Sequence, residues 1–137
     1  MNRSILSHCL TLVFVATTLL VPAAQAATPA ELLAGYSAKA GAAASPERGQ
    51  RFFTTNFGRD FGWSCSSCHG AVPTQNGKDD VTKKTIKPMA PAFNPARFVD
   101  GARVEHMFRL NCKDVVGREC TAGEKADVLS WLLTFKP

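Results

Sequence analysis

Residues 27 to 137 are predicted to form one all-α domain of short helices joined by long loops. Three observations carry this expectation. Four segments open with helix-start signals, and no segment shows the apolar–polar alternation of a half-buried strand. Residues 71 to 98 lose all periodicity under Pro73, Pro88, Pro91 and Pro95. A loop this long in a small domain is unusual unless it wraps something. The chain has 137 residues, enough for one small domain and not two.

The first 26 residues stand apart from that domain. Arg3 gives a positive start, and LTLVFVATTLLV (10 to 21) is an apolar run too short for a stable membrane span. PAAQA (22 to 26) ends in a small-x-small pattern. Together these read as a secretory signal peptide cut after Ala26 or Ala27, which exports the domain to the periplasm without stable membrane insertion. Cys9 precedes the apolar run, the wrong side for a lipoprotein anchor. Without Arg3, 15 of the 16 Lys and Arg residues face 11 Asp and Glu, a net charge of +4. So mild a charge on an exported domain argues against nucleic acid as a partner and leaves an acidic protein partner open.

Each helix has its own signal. Thr28 caps the first, with Pro29 at the first helical position and Glu31 in the first turn. Ser45 caps the second, followed by Pro46 and Glu47, and Gly49, Phe52 and Phe53 share one face. A glycine there costs helix stability, so another element should pack closely against it. The third helix is expected over 100 to 111, with Asp100 as cap and Val104, Met107, Phe108 and Asn111 in one stripe. The last is expected over 121 to 136. Thr121 and Glu124 form its capping box, and Val128, Trp131, Leu132 and Phe135 its apolar face.

The chemistry sits in CSSCH, residues 65 to 69. Zinc needs four ligands, and Cys112 and Cys120 do not form a second C-x-x-C knuckle. A thioredoxin-like redox pair needs a strand–helix context that is missing. The remaining reading is one covalent haem c, with thioethers at Cys65 and Cys68 and His69 beneath the iron. Cys112 and Cys120 are left as an even pair in an oxidising compartment, and a disulfide between them is the simplest reading. Closing so short a loop stabilises by roughly 2–3 kcal/mol.

Four residues compete for the second axial position. Met89 sits in IKPMAPAFNP, a proline-flanked loop. Met107 lies on the helical stripe, where packing is its ordinary role, and His106 falls off the stripe, as a solvated histidine would. Asn111 at a helix end is ordinarily a cap. Yet it lies on the stripe and directly precedes Cys112.

The segments AELLAGYSAKAGA, ERGQRFF, CSSCHGAV, IKPMAPAFNPARFVDGARVEHMFRLNC and VVGRECTAGEKADVLSWL together resemble the SHP family. These are small monohaem c-type cytochromes in which asparagine is the sixth iron ligand. The resemblance runs over residues 28 to 135, and RLNC…VGREC is its most diagnostic part. It implies a class I cytochrome c-like fold with crossing N- and C-terminal helices, where Gly49 and Phe53 meet Trp131 or Leu132. It implies His69 as proximal and Asn111 as distal ligand, and it too implies the Cys112–Cys120 disulfide. Met89 becomes packing, and remains the alternative ligand.

The resemblance also implies a function. Reduction makes the asparagine leave the iron, and oxygen or nitric oxide then binds. A dihaem c-type cytochrome or a membrane cytochrome b would donate the electron, and Lys83, Lys84 and Lys87 are candidates to steer it. The competing classes are a simple His/Met electron carrier and a small haem enzyme reducing oxygen, nitric oxide or hydroxylamine. No acid–base pair in the sequence argues for the enzyme, so a ligand-binding, electron-accepting haem protein is favoured.

So small a chain needs its prosthetic group as core. Haem-free Cys65→Ala/Cys68→Ala protein is expected to lose its native near-UV circular dichroism; an unchanged spectrum would sink that expectation.

Overall fold

The computed structural model describes residues 27–58 and 62–137; the expected signal peptide, 1–26, lies outside the described residues. Five helices run in chain order: α1 (Pro29–Ala40), α2 (Pro46–Thr54), α3 (Cys65–His69), α4 (Gly101–Val115) and α5 (Ala122–Leu132). Each start follows from its cap. Thr28 Oγ1 accepts from Glu31 N while Glu31 Oε2 accepts from Thr28 N, and Ser45 Oγ accepts from Arg48 N. Asp100 accepts from Arg103 N, and Thr121 and Glu124 pair reciprocally. These bonds satisfy backbone donors that a helix start leaves orphaned.

The core is built around α5. Residues Ala126 to Leu132 are all buried, with Leu129 and Leu132 fully so. The expected single apolar face is therefore too narrow a description, because α1 and α2 both pack against this helix. The helix also ends at Leu132, short of the expected 136.

Gly49 sets how closely α2 approaches. A Cβ on it would overlap the Asp127 carbonyl and crowd Val128 N. Only a residue without a side chain lets the two backbones meet at this distance. The Asp127 carboxylate then accepts from Ser45 N at 2.7 Å, Arg48 Nε at 2.7 Å and Arg48 Nη2 at 2.8 Å. Phe53 continues the contact, its ring centroid 5.1 Å from that of Trp131. The expected crossing of Gly49 and Phe53 with the last helix is thus seen, with Asp127 and Val128 as the residues Gly49 touches.

Two expectations about elements are corrected. A short antiparallel hairpin is present, β1 (Gly77–Lys78) with β2 (Thr85–Ile86), pairing Gly77 with Ile86 and Lys78 with Thr85. Two-residue strands carry no readable alternation, and the fold remains all-α. Helix α4 also runs one turn beyond 111, to Val115. Asn111 is consequently inside a helix and caps nothing.

Gly49→Ala should cost about 1–3 kcal/mol, the usual penalty of overpacking. Guanidinium denaturation of the haem-loaded protein measures it, and an unchanged midpoint would show that the two helices can separate without loss.

Candidate functional site

Helix α3 is a single turn, and its position depends on contacts that the sequence only partly signals. Ser64 caps it, accepting from Ser67 N at 3.2 Å, while Ser67 Oγ accepts from Ser64 N at 3.0 Å. Cys65 and Cys68, three residues apart, fall on one side of that turn. Gly77 matters as much and carries no sequence signal. A Cβ there would overlap the Cys68 carbonyl, so glycine lets the hairpin lie directly on the backbone of Cys68 and His69.

These side chains open into a cavity of about 520 Å³. That lies within the roughly 300–1,000 Å³ of ligand and cofactor sites. Its wall is mainly apolar, with Phe53, Met89, Val104, Phe108 and Val128 among the residues lining it. The 71–98 loop closes one side through Val81, Ile86, Met89 and Phe98. Pro73 O ties this loop to itself, accepting from Met89 N and Ala90 N at 2.9 and 3.0 Å.

The electrostatics of the three motif residues select among their chemistries. Burial pushes the Cys65 thiol up to about 11, with the nearby Cys68 adding to the effect. A thiol so reluctant to ionise is a poor redox nucleophile. It suits a covalent thioether, which needs no thiolate in the finished protein. Among the described residues no group of three or more His, Cys, Asp or Glu could hold a metal ion, so the four donors of a zinc site are not assembled. Burial, with help from Arg97 and against the pull of Asp79, holds His69 down to about 4. The imidazole is therefore neutral at physiological pH, the form that binds a metal. Its Nδ1 is buried with no hydrogen-bond partner among the described residues. A buried polar atom left so asks for an explanation. An apolar slot with paired thiols and a neutral histidine at its wall fits a haem c.

Every candidate for the second axial position except His106 lines this cavity: Asn111, Met107 and Met89. His106 is exposed on α4, its Nδ1 3.1 Å from Arg109 Nη2. The stripe of Val104, Met107, Phe108 and Asn111 faces the cavity as a unit. Cys112 and Cys120 are joined by a disulfide, so the turn after Asn111 is covalently fixed to the start of α5.

A second tie holds α4 in place. Lys125 Nζ lies 2.6 Å from Glu105 Oε2 and sits over the rings of Tyr36 and Phe108, at 5.6 and 5.7 Å. All three loop lysines are exposed; Lys83 is paired with Asp80 at 2.9 Å, which leaves Lys84 and Lys87 without an ion pair among the described residues.

A family described as a domain of unknown function (DUF1924) matches residues 39–132. The cytochrome c-type protein SHP of Cereibacter sphaeroides is 50% identical over 107 residues, 77% of this chain and 82% of that one. The structure of oxidised SHP, an oxygen-binding cytochrome c, superposes with a TM-score of 0.74 at 48% identity, covering 79% of this chain and 97% of that chain. The solution structure of cytochrome c'' from Methylophilus methylotrophus, described with insights into haem-ligand detachment, gives a TM-score of 0.71 at 35% identity, over 80% of this chain and 94% of that one.

Replacing both disulfide cysteines, Cys112→Ala/Cys120→Ala, should cost about 2–3 kcal/mol of stability by the loop-closure estimate. Denaturant midpoints measured with the haem attached test this, and no change would mean that the bridge constrains nothing the fold does not already hold.

Proposed function

This chain belongs to the SHP family of c-type cytochromes and carries one covalent haem c; on that premise we propose that it is a periplasmic, electron-accepting protein that binds a diatomic gas, oxygen or nitric oxide, once Asn111 leaves the iron on reduction. The observation that carries this reading is the position of Asn111. It lines the same cavity as Cys65, Cys68 and His69, from a different helix. The SHP relative is an oxygen-binding cytochrome, and the cytochrome c'' structure concerns detachment of a haem ligand; both support the reading.

The haem iron supplies one-electron redox chemistry and, when ferrous, an affinity for diatomic gases. The rest belongs to the chain. Cys65 and Cys68 tether the group, and neutral His69 offers its nitrogen lone pair from one element. Asn111 offers an amide oxygen, a hard and weak donor that suits ferric iron better than the softer ferrous ion. The disulfide at Cys112 fixes the backbone beside it, so release needs only side-chain rotation. Val104, Met107 and Phe108, which line the cavity with Asn111, would offer an uncharged gas an apolar surface. The released carboxamide can donate a hydrogen bond to that gas through Nδ2.

Export through the signal peptide places the protein where a dihaem c-type cytochrome or a membrane cytochrome b could donate the electron, with Lys84 and Lys87 attracting an acidic surface. Among the described residues no helix is long and apolar enough to cross a membrane. A second reading has one observation in its favour: Met89 lines the cavity too. With Met89 on the iron, the protein would be a plain electron carrier and its oxidised form would show the far-red band of methionine-ligated ferric haem.

Ferrous Asn111→Ala protein should bind carbon monoxide at least as fast as the wild type in stopped-flow mixing. Slower binding would remove Asn111 from its gating role. The far-red band in oxidised wild type would transfer the ligand role to Met89.

A further inference from the structure

We propose that Arg97 and Arg103 form a carboxylate-binding pair that anchors the propionate groups of the haem. Among the described residues lining the cavity, these are the only lysines or arginines. Neither is in an ion pair with an Asp or Glu among the described residues. Arg97 is partly buried, and burial together with the positive charge of Arg103 disfavours its protonated form. Arg97, half-buried at an apolar wall beside the exposed Arg103, carries its charge without a counter-ion, which is costly. Haem c would bring carboxylates as its peripheral charged groups, and these match the missing counter-ions in sign.

The local backbone is arranged to present Arg97. Its Nε donates to Pro88 O at 3.0 Å and its Nη2 to Lys87 O at 2.8 Å. Nη1 forms no hydrogen bond with the described residues and remains for an anion. Phe98 follows with φ of 60° and a buried ring. A bulky side chain rarely adopts that left-handed conformation, and such strain gathers at ligand clamps. Here it turns Phe98 into the core while Arg97 stays at the cavity wall.

The carboxylates already lining the cavity do not meet this need. Asp79 accepts from Val81 N and Thr82 N, and Asp100 accepts from Arg103 N. Asp114 lies eleven residues along α4 from Arg103, about 16 Å by the helical rise. The proposal rests on haem c being bound and not on which residue fills the distal position.

The test is the midpoint reduction potential of the haem-loaded protein as a function of pH, in Arg97→Gln, Arg103→Gln and Arg97→Lys. Covalent attachment retains the haem in all three. The two glutamine variants should lower the potential, because the ferric form loses a nearby repelling cation. They should also move the pH at which the potential bends upward by about 1–3 units, as carboxylates lose an adjacent positive charge. Arg97→Lys should restore most of both effects. Asn94→Ala removes another donor to Pro88 O, 3.1 Å away, and serves as the structural control. The proposal is overturned if the glutamine variants keep the wild-type profile. It is equally overturned if Asn94→Ala reproduces the Arg97→Gln profile, which would make Arg97 only a loop clamp.

Discussion

The contact between Gly49 and the backbone of Asp127 is the constraint on which the rest of this molecule depends. It brings α2 against α5 with no side chain between them, and the Asp127 carboxylate then satisfies Ser45 N and the Arg48 guanidinium at the same junction. One turn further on, Phe53 reaches both sides of the structure. Its ring packs on Trp131 in the core and lies 6.2 Å from the His69 imidazole. The position of His69 is thus referred back, through one phenyl ring, to the close crossing of α2 and α5.

The cavity beyond Phe53 is core that the polypeptide does not fill. Its walls are apolar enough to keep His69 neutral and to oppose ionisation of a free Cys65 thiol, and both effects have burial as their main cause. The same low polarity makes the two arginines at its edge conspicuous. Apolar faces, paired thioethers, a neutral imidazole and peripheral carboxylates are the complementary requirements of one prosthetic group. The long proline-broken loop exists to close around it, with Pro73 O gathering the Met89–Ala90 backbone.

Helix α4 serves a different purpose. It meets the core mainly through side chains: Phe108 edge-on to Tyr36, Glu105 on Lys125, and the Cys112–Cys120 bridge. Val104 and Phe108 of its stripe pack on the core and also line the cavity, so Asn111 reaches the cavity from a helix tied to both α1 and α5. Much of this was legible beforehand. The caps at Thr28, Ser45, Asp100 and Thr121 are local hydrogen-bond chemistry, and residue types within a few positions suffice to read them. The end of α4 was misread because Asn111 resembles a cap in isolation; the disulfide one residue later supports a further turn that propensity alone does not foresee.

By itself the sequence determined the helix starts, the all-α class, the C-x-x-C-H motif and the stripe that carries Asn111, because each depends on residue types at fixed short spacings. The tertiary structure alone decided why Gly77 must be glycine, why α5 is buried all round from Ala126 to Leu132, and why Arg97 and Arg103 share a cavity with His69. Those facts join residues far apart in the chain, and only packing fixes which distant backbones touch and which charges lose their water.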